Sequence, residues 1–299
     1  MGHQIDGIIN LNKPPATTSF QMVAMIRKLS GVRKTGHAGT LDPDATGVLP
    51  VLLGRATKLA SFLTESGKVY QADIKFGCAT TTYDSSGDVT IERDVSSLSL
   101  KEIEFVLDHF HGDIEQVPPM YSALKHQGKP LYIFARSGLE VERQPRKVHI
   151  SRIEIIGWQK PILSIEVECS KGTYIRSIAH DMGETLGYGA HLAGLTRIRV
   201  GSFHIDQSIT IEQLETGFQN DTWPDFIHTP DVALRNLGVI TVNENVEQDI
   251  SYGHPFRSDS ISLATEGEFR RTYSEDGRFL ALVKYDESSE MWKPKRVFI

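Results

Sequence analysis

The order of apolar and polar positions along the chain predicts a mixture of helices and strands. Thr18 and Gln21 have the spacing of a capping box. Met22, Val23, Ile26 and Leu29 follow on one helical face, and Gly31 ends the helix. Val48–Leu53 is a short unbroken apolar run, the pattern of a buried strand, and Thr57–Leu63 reads as a helix. Tyr70, Ala72, Ile74 and Phe76 alternate with Gln71, Asp73 and Lys75, which predicts a half-buried strand. Ser99 and Glu102 form a second capping box, opening a helix that turns Ile103, Val106, Leu107 and Phe110 inward. Val148–Ile156 and Ile162–Cys169 have strand texture. Ile175, Ile178, Ala179, Met182 and Leu186 make a helical stripe stopped by Gly187, and Leu192–Phe203 reads as a strand.

Residues 117–147 depart from this regularity. Pro118, Pro119, Gly128, Pro130, Gly138 and Pro145 punctuate a basic, aromatic-bearing stretch that reads as an excursion from the core. After Trp223-Pro224-Asp225 the texture shifts, and from about Leu237 short strand-like runs such as Val239–Val242 and Phe279–Val283 alternate with Gly and Asp. There is no strict strand–helix–strand alternation. The expected class is therefore α+β, with a mixed, mostly antiparallel central sheet flanked by helices. Residues 1–232 are expected to form the main domain, carrying the insertion at about 117–147, and residues 233–299 a small β-rich domain.

The chain has 299 residues, 39% of them apolar, enough to bury a sizeable core. No apolar run reaches the roughly 18 residues of a membrane span. The start, Met1 to Asp6, lacks the pattern of a signal peptide. Cys78 and Cys169 both sit in apolar alternating stretches, so free buried thiols are expected rather than a disulfide or metal pair, which fits a reducing cytoplasm. The formal net charge of −6 argues against a nucleic-acid partner until its distribution is considered. Residues 1–60 carry +4, 121–150 carry +4 and 171–201 carry +2, which leaves −16 for the remainder. If the basic segments share a face, that face attracts phosphate. Ordinary charge fluctuation explains the same numbers equally well.

The densest chemical signal is Gly36-His37-Ala38-Gly39-Thr40-Leu41-Asp42-Pro43-Asp44-Ala45-Thr46-Gly47-Val48-Leu49. Glycines permit backbone turns and close approach of another chain segment. Pro43 stiffens the link after Asp42. A carboxylate on a stiff loop suits a nucleophile or a base, although a solvated turn has the same composition. Asp42-Pro43-Asp44-Ala45-Thr46 also fits the Asp-x-Asp-x-Thr signature of haloacid-dehalogenase-type phosphatases. That motif normally follows a long apolar strand, and Gly36–Leu41 is no such strand.

Gly36–Leu49 resembles the signature motif of TruB-type pseudouridine synthases, with the nucleophilic aspartate falling on Asp42. The resemblance extends from about residue 7 to 205. Gly7–Pro14 is similar to the family's first motif, and Lys68-Val69-Tyr70 to its tyrosine strand. Gln116–Lys125 resembles the start of its RNA-gripping insertion, or thumb. Cys169–Arg176 resembles the motif that supplies an arginine, and Gly189–Leu192 and Leu195-Thr196-Arg197 match as well. The C-terminal part resembles a PUA-like RNA-binding domain more weakly. Two positions depart from the family. Ala16 stands where the family often has glycine, which puts the local turn in question, and Asp44 fills a variable slot and is given no role.

The resemblance implies isomerisation of the T-loop uridine of tRNA, position 55, to pseudouridine. The N1–C1′ bond is broken, the uracil turns, and the base rejoins through C5. No metal or redox cofactor is required, and no Cys/His cluster of zinc spacing occurs. Asp42 would engage the nucleotide, with Arg176 as the cation keeping it ionised. Tyr70 would stack on the extruded base or handle a proton. His37 would fill the gap left by the base or hold neighbouring RNA. Leu195 would wall the uracil pocket. RNA contacts are implied for Gly39, Thr40, Leu41 and Tyr174, and for Lys13 in a structural or phosphate-contacting role. On the thumb, Lys125, Lys129, Arg136, Arg146 and Lys147 suit phosphate, with Tyr121 and Tyr132 for packing. The implied partner is the tRNA T-arm stem-loop, with no membrane and no protein partner, and a cytoplasmic monomer is expected. Three other readings stay open: a non-catalytic RNA-binding or RNA-folding protein, a magnesium-dependent phosphatase, and an RNA base-excising hydrolase.

Overall fold

The computed structural model describes residues 5–258 and 264–299. In chain order, β1 (Gly7–Lys13) leads into α1 (Ser19–Ser30). The strands β2 (Thr35–His37) and β3 (Thr46–Leu53) flank the glycine-rich loop, and α2 (Ala60–Glu65) precedes β4 (Lys68–Phe76). A small hairpin of β5 (Cys78–Thr80) and β6 (Val89–Glu92) comes before α3 (Leu100–Leu107) and β7 (Gly112–Gln116). The excursion carries a two-stranded hairpin, β8 (Lys125–His126) with β9 (Lys129–Pro130), followed by α4 (Leu131–Arg136). The core resumes with β10 (Arg146–Gln159), β11 (Ile162–Cys169), α5 (Ile175–Leu186), β12 (Ala190–Val200), β13 (Phe203–His204), α6 (Ile211–Gln219) and β14 (Ile227–His228). The C-terminal part is β15 (Gly238–Val242), α7 (Glu244–Ser251), β16 (Phe269–Ser274), β17 (Phe279–Asp286) and β18 (Met291–Val297).

The central sheet runs β14-β1-β3-β12-β4-β11-β10-β7, with β2 added to β3 and β13 to β12. Its pairs are antiparallel except β12 on β3. This is the mixed, mostly antiparallel α+β arrangement expected. The apolar run in β3 is explained by burial on both faces. Leu49, Val51 and Leu53 pack with α1 residues Met22, Val23 and Ile26 on one side. Val48 and Leu52 pack with Leu59 and Leu63 on the other. The alternation in β4 has the opposite origin. Tyr70, Ala72, Ile74 and Phe76 lie under α3 and α5, while Gln71, Asp73 and Lys75 are exposed.

Both capping boxes form. Thr18 accepts from Gln21 N and Ser99 from Glu102 N, each with the reciprocal bond. Three details differ from expectation. Leu29, in the last turn of α1, is 40% exposed rather than inward. The segment read as a helix over 57–63 divides into a 3₁₀ turn, Gly54–Leu59, and α2. The predicted strand 192–203 begins earlier and breaks at a turn after Val200. The C-terminal sheet, β15-β16-β17-β18, has its own core of Ile240, Ile250, Leu280, Val283 and Trp292. Its other face is continuous with the main body, because Leu282 and Phe298 pack in one cluster with Leu59, Leu63 and Val232–Leu234.

Two loop positions decide how the site is framed. At Gly47, φ is +99° and an added β-carbon would meet Arg197 O at 2.2 Å, where β12 pairs with β3. At Gly36, by contrast, a β-carbon would meet open space. Ala16, where the family often has glycine, adopts φ +58°, so an alanine here holds a left-handed conformation. Gly47→Ala is expected to destabilise by more than about 2 kcal/mol, and Gly36→Ala by less than about 0.5 kcal/mol. Ala16→Gly should stabilise by roughly 1 kcal/mol through relief of the left-handed strain. Urea unfolding midpoints of the three variants check all of this.

Candidate active site

Asp42 sits on the loop between β2 and β3, and three side chains from other elements fix the backbone of that loop. Lys13, at the end of β1 and fully buried, donates from Nζ to Pro43 O (2.8 Å), Thr17 O (2.8 Å) and Pro14 O (2.9 Å). Arg197 on β12, also buried, donates from Nε to Val48 O (2.8 Å), from Nη2 to Gly39 O (3.0 Å) and from Nη1 to Thr40 O (3.4 Å). Ser19, the first residue of α1, brackets Leu41. Its Oγ accepts from Leu41 N (2.9 Å) and donates to Leu41 O (3.2 Å). A loop with little regular structure is thereby held as firmly as a strand.

The Asp42 side chain faces the first turn of α5. Arg176 Nε lies 3.1 Å from Asp42 Oδ2, and Nη2 lies 3.3 Å from Oδ1, a two-point ion pair. The same guanidinium donates from Nη1 to Asp84 Oδ2 and Thr82 O, each at 3.4 Å, and from Nη2 to Tyr121 O at 3.0 Å. The Arg176 side chain is 6% exposed and that of Asp42 44%. Gln116 aligns the start of α5. Its side-chain amide accepts from Tyr174 N (2.7 Å) and donates to Tyr174 O (3.0 Å). Ser177 Oγ ties Val117 O to the same turn. The glycine-rich loop, the base of the excursion and α5 belong to the three basic segments, and they converge here.

Burial raises the Asp42 carboxyl above its ordinary value. Arg176 pulls it down, and the nearby Asp84 pushes it up again. The guanidinium thus acts as the sequence implied, but desolvation outweighs it. Solvent at the open edge of Asp42 screens both effects. Tyr70 is buried in β4 directly opposite Arg197 in register. Its phenol is pushed up by burial and drawn down by Arg197, with Asp42 near enough to add to the rise. Tyr174 is half-buried, with its phenol raised by burial. Leu195 packs partly buried against the cluster that holds Tyr70 and Leu41.

The remaining expected residues divide. His37 ends β2 half-buried. Its Nδ1 is enclosed without a hydrogen-bond partner, and burial with Arg197 lowers its pKa, so the ring is neutral at pH 7. Lys13 does not suit a phosphate contact: its three donors are taken by backbone carbonyls, and burial pushes its pKa down to about 8. Gly39 and Thr40 offer their carbonyls to Arg197, and Leu41 is buried, so these three build the loop. Lys125 and Lys129 are exposed on facing strands of the β8–β9 hairpin. Among the described residues, no group of three or more His, Cys, Asp or Glu is placed to hold a metal ion.

Comparison with known proteins bears on this geometry. The TruB family pseudouridylate synthase N-terminal domain matches residues 27–175, and the tRNA pseudouridylate synthase B C-terminal domain matches 176–235. A protein of Dehalococcoides mccartyi named tRNA pseudouridine synthase B is 40% identical over 99% of this chain and 97% of its own length. The chain belongs to the TruB family of pseudouridine synthases. A relative of that name from Symbiobacterium thermophilum is 46% identical over 84% of this chain and 83% of its own. Among solved structures, a chain of a Cbf5-Nop10-Gar1 complex superposes with a TM-score of 0.77 at 27% identity, covering 98% of this chain and 85% of that one. The geometry brings in three groups that sequence reasoning left without a role: Asp84, Arg197 and Gln116. Arg197 and Gln116 lay in matched motifs. Asp84 lies in Asp84-Ser85-Ser86-Gly87, which reads as an ordinary turn.

The electrostatics of this TruB-family site give signed predictions. If ionised Asp42 limits the reaction, the acid limb of kcat/KM follows its pKa and lies above the value of roughly 4 at which an ordinary aspartate titrates. Asp84→Asn removes an upward push and should move the limb to lower pH. Arg176→Gln removes a downward pull and should move it higher. Rate–pH profiles of the two variants check the signs, and shifts in one common direction contradict the assignment.

Proposed function

We propose that this chain isomerises the T-loop uridine of tRNAs to pseudouridine, with Asp42 as the catalytic carboxylate. The observation that carries the reading is the two-point pairing of Asp42 with buried Arg176 on a backbone-clamped loop. Such an arrangement delivers an ionised carboxylate at a fixed position. The target base leaves its stack to reach it, at a cost of a few kcal/mol. Tyr70 and Leu195 then offer an aromatic face and an apolar wall to the extruded uracil, and base–aromatic stacking contributes about 1–3 kcal/mol. Asp42 engages the nucleotide as the N1–C1′ bond breaks. The uracil turns, C5 bonds to C1′, the C5 hydrogen leaves to solvent and N1 takes up a proton. Nothing is oxidised or hydrolysed, and no cofactor enters.

The excursion is read as the thumb that holds the T-arm. Lys125 and Lys129 meet phosphate there, joined by Arg136, Arg146 and Lys147. Residues 233–299 are read as a PUA-like RNA-binding domain and residues 1–232 as the catalytic domain, within a cytoplasmic monomer. Recognition rests on loop shape and extruded bases, which lets one enzyme serve most tRNAs.

T-arm RNA tritiated at uracil C5 tests the reading. Wild-type protein should release tritium into water, whereas Asp42→Asn should bind the RNA and release none. Tritium retained with every tRNA tried rules the proposal out. Free uracil in the products indicates a hydrolase instead. Binding should weaken steeply with salt, and the double variant Lys125→Ala/Lys129→Ala should reduce the log–log salt slope by about two. An unchanged slope removes these lysines from the RNA interface.

A further inference from the structure

Thr82, Tyr83 and Asp84, in the connection between β5 and β6, grip α5 at two levels. At the first, Thr82 O and Asp84 Oδ2 accept from Arg176 Nη1. At the second, one turn further along the helix, the Tyr83 ring lies flat on the imidazole of His180. The ring centroids are 3.8 Å apart and the planes 7° from parallel. Arg176 and His180 are four residues apart and share a helix face.

Tyr83 is also strained. Its φ is +65°, the left-handed region that a side chain with a β-carbon rarely adopts. Such a residue persists only where its surroundings hold it. The Tyr83 backbone is tied to β12, where Leu192 N donates to Tyr83 O at 2.9 Å, and Tyr83 N donates to Thr80 O at 3.3 Å. Its side chain is seated by ring contact with His180, whose buried Nδ1 has no hydrogen-bond partner. Asp84 is braced on its other side. Its Oδ1 accepts from Thr82 Oγ1 (2.6 Å), Ser86 Oγ (2.6 Å) and Ser86 N (3.0 Å), which leaves Oδ2 for the guanidinium.

We propose that the Tyr83–His180 stack is a positioning device for the isomerisation. It keeps a strained loop seated, so that Thr82 O and Asp84 Oδ2 occupy Arg176 Nη1 and leave Nε and Nη2 aimed at Asp42. This rests on the reading of Asp42 as the catalytic carboxylate. Without the stack, Tyr83 relaxes and draws both acceptors off Nη1. A buried guanidinium with unpaired N–H groups then turns to find others, and the two-point contact with Asp42 is lost. The damage falls on the chemical step rather than on RNA binding.

Three variants test the proposal: His180→Ala, Tyr83→Ala and His180→Phe. Tyr83→Ala removes the ring from the loop side and keeps a β-carbon in the left-handed conformation, so it remains a readout if His180→Ala folds poorly. His180→Ala and Tyr83→Ala should each lower kcat on T-arm RNA by at least about tenfold, the scale of a small misplacement of a reacting group, with KM nearly unchanged. His180→Phe, which restores a ring face without imidazole nitrogens, should recover most of the rate. A readout free of substrate separates this inference from the functional reading: the Arg176 Nε–H resonance of the RNA-free protein should be protected from solvent exchange in wild type and His180→Phe, and exchange rapidly in His180→Ala. The proposal is overturned if the two alanine variants keep wild-type kcat, if KM rises alone, or if phenylalanine rescues neither kcat nor protection.

Discussion

The site depends on the pairing of one buried guanidinium. Arginine carries five N–H donors, and a buried one left without an acceptor is costly. Four of those of Arg176 donate, from Nη1 to Asp84 Oδ2 and Thr82 O and from Nη2 to Asp42 Oδ1 and Tyr121 O, while Nε sits 3.1 Å from Asp42 Oδ2 as an ion-pair contact. These groups come from three chain segments distant in sequence, and the side chain itself comes from a fourth. The guanidinium thus ties the three segments to α5 at one point. The geometry of the carboxylate at the centre is thus a property of the whole catalytic body rather than of its loop. One cation between two anions also leaves the cluster negative, which together with burial explains why Asp42 is harder to ionise than an ordinary aspartate.

Cations elsewhere in the protein divide by burial. Lys13 and Arg197 are sealed, and each uses its donors on carbonyls of the segments around Asp42. Charge serves there as a construction element that lets a glycine-rich loop be rigid without secondary structure. Lys125 and Lys129 are exposed on the hairpin of the excursion. That surface suits an electrostatic partner, since a phosphate contact requires donors that are free.

The elements legible in the sequence are those whose causes are local. The capping boxes at Thr18 and Ser99, the stripe of α5 and the alternation of β4 all depend on residues within a few positions of one another. β1 is less legible, because Asn10 and Lys13 interrupt an otherwise apolar run. Asn10 Nδ2 donates to His204 O, 194 residues away, while its buried Oδ1 has no hydrogen-bond partner, and Lys13 donates to carbonyls including Pro43 O, so neither residue marks solvent. The site divides in the same way. Asp42 and Arg176 stand out through their motifs, yet their pairing joins positions 134 apart. Asp84 reaches Arg176 across 92 positions, and Arg197 reaches Gly39 across 158. No spacing in the chain announces such partners, and an aspartate in a Ser/Gly turn has every local reason to be only a turn.

The central claim is that Asp42 stands ready to meet an everted uridine. The most direct measurement is a crystal structure of the protein with a T-arm RNA whose target uridine carries fluorine at C5, which blocks the final loss of the C5 substituent and holds the nucleotide in the site. The account predicts the base outside its stack against Tyr70, with a carboxylate oxygen of Asp42 about 3–3.5 Å or less from the sugar of that nucleotide. Arg176 should still bridge Asp42 and Asp84. A target base left stacked in the RNA, or an Asp42 carboxylate turned away from the sugar, contradicts it.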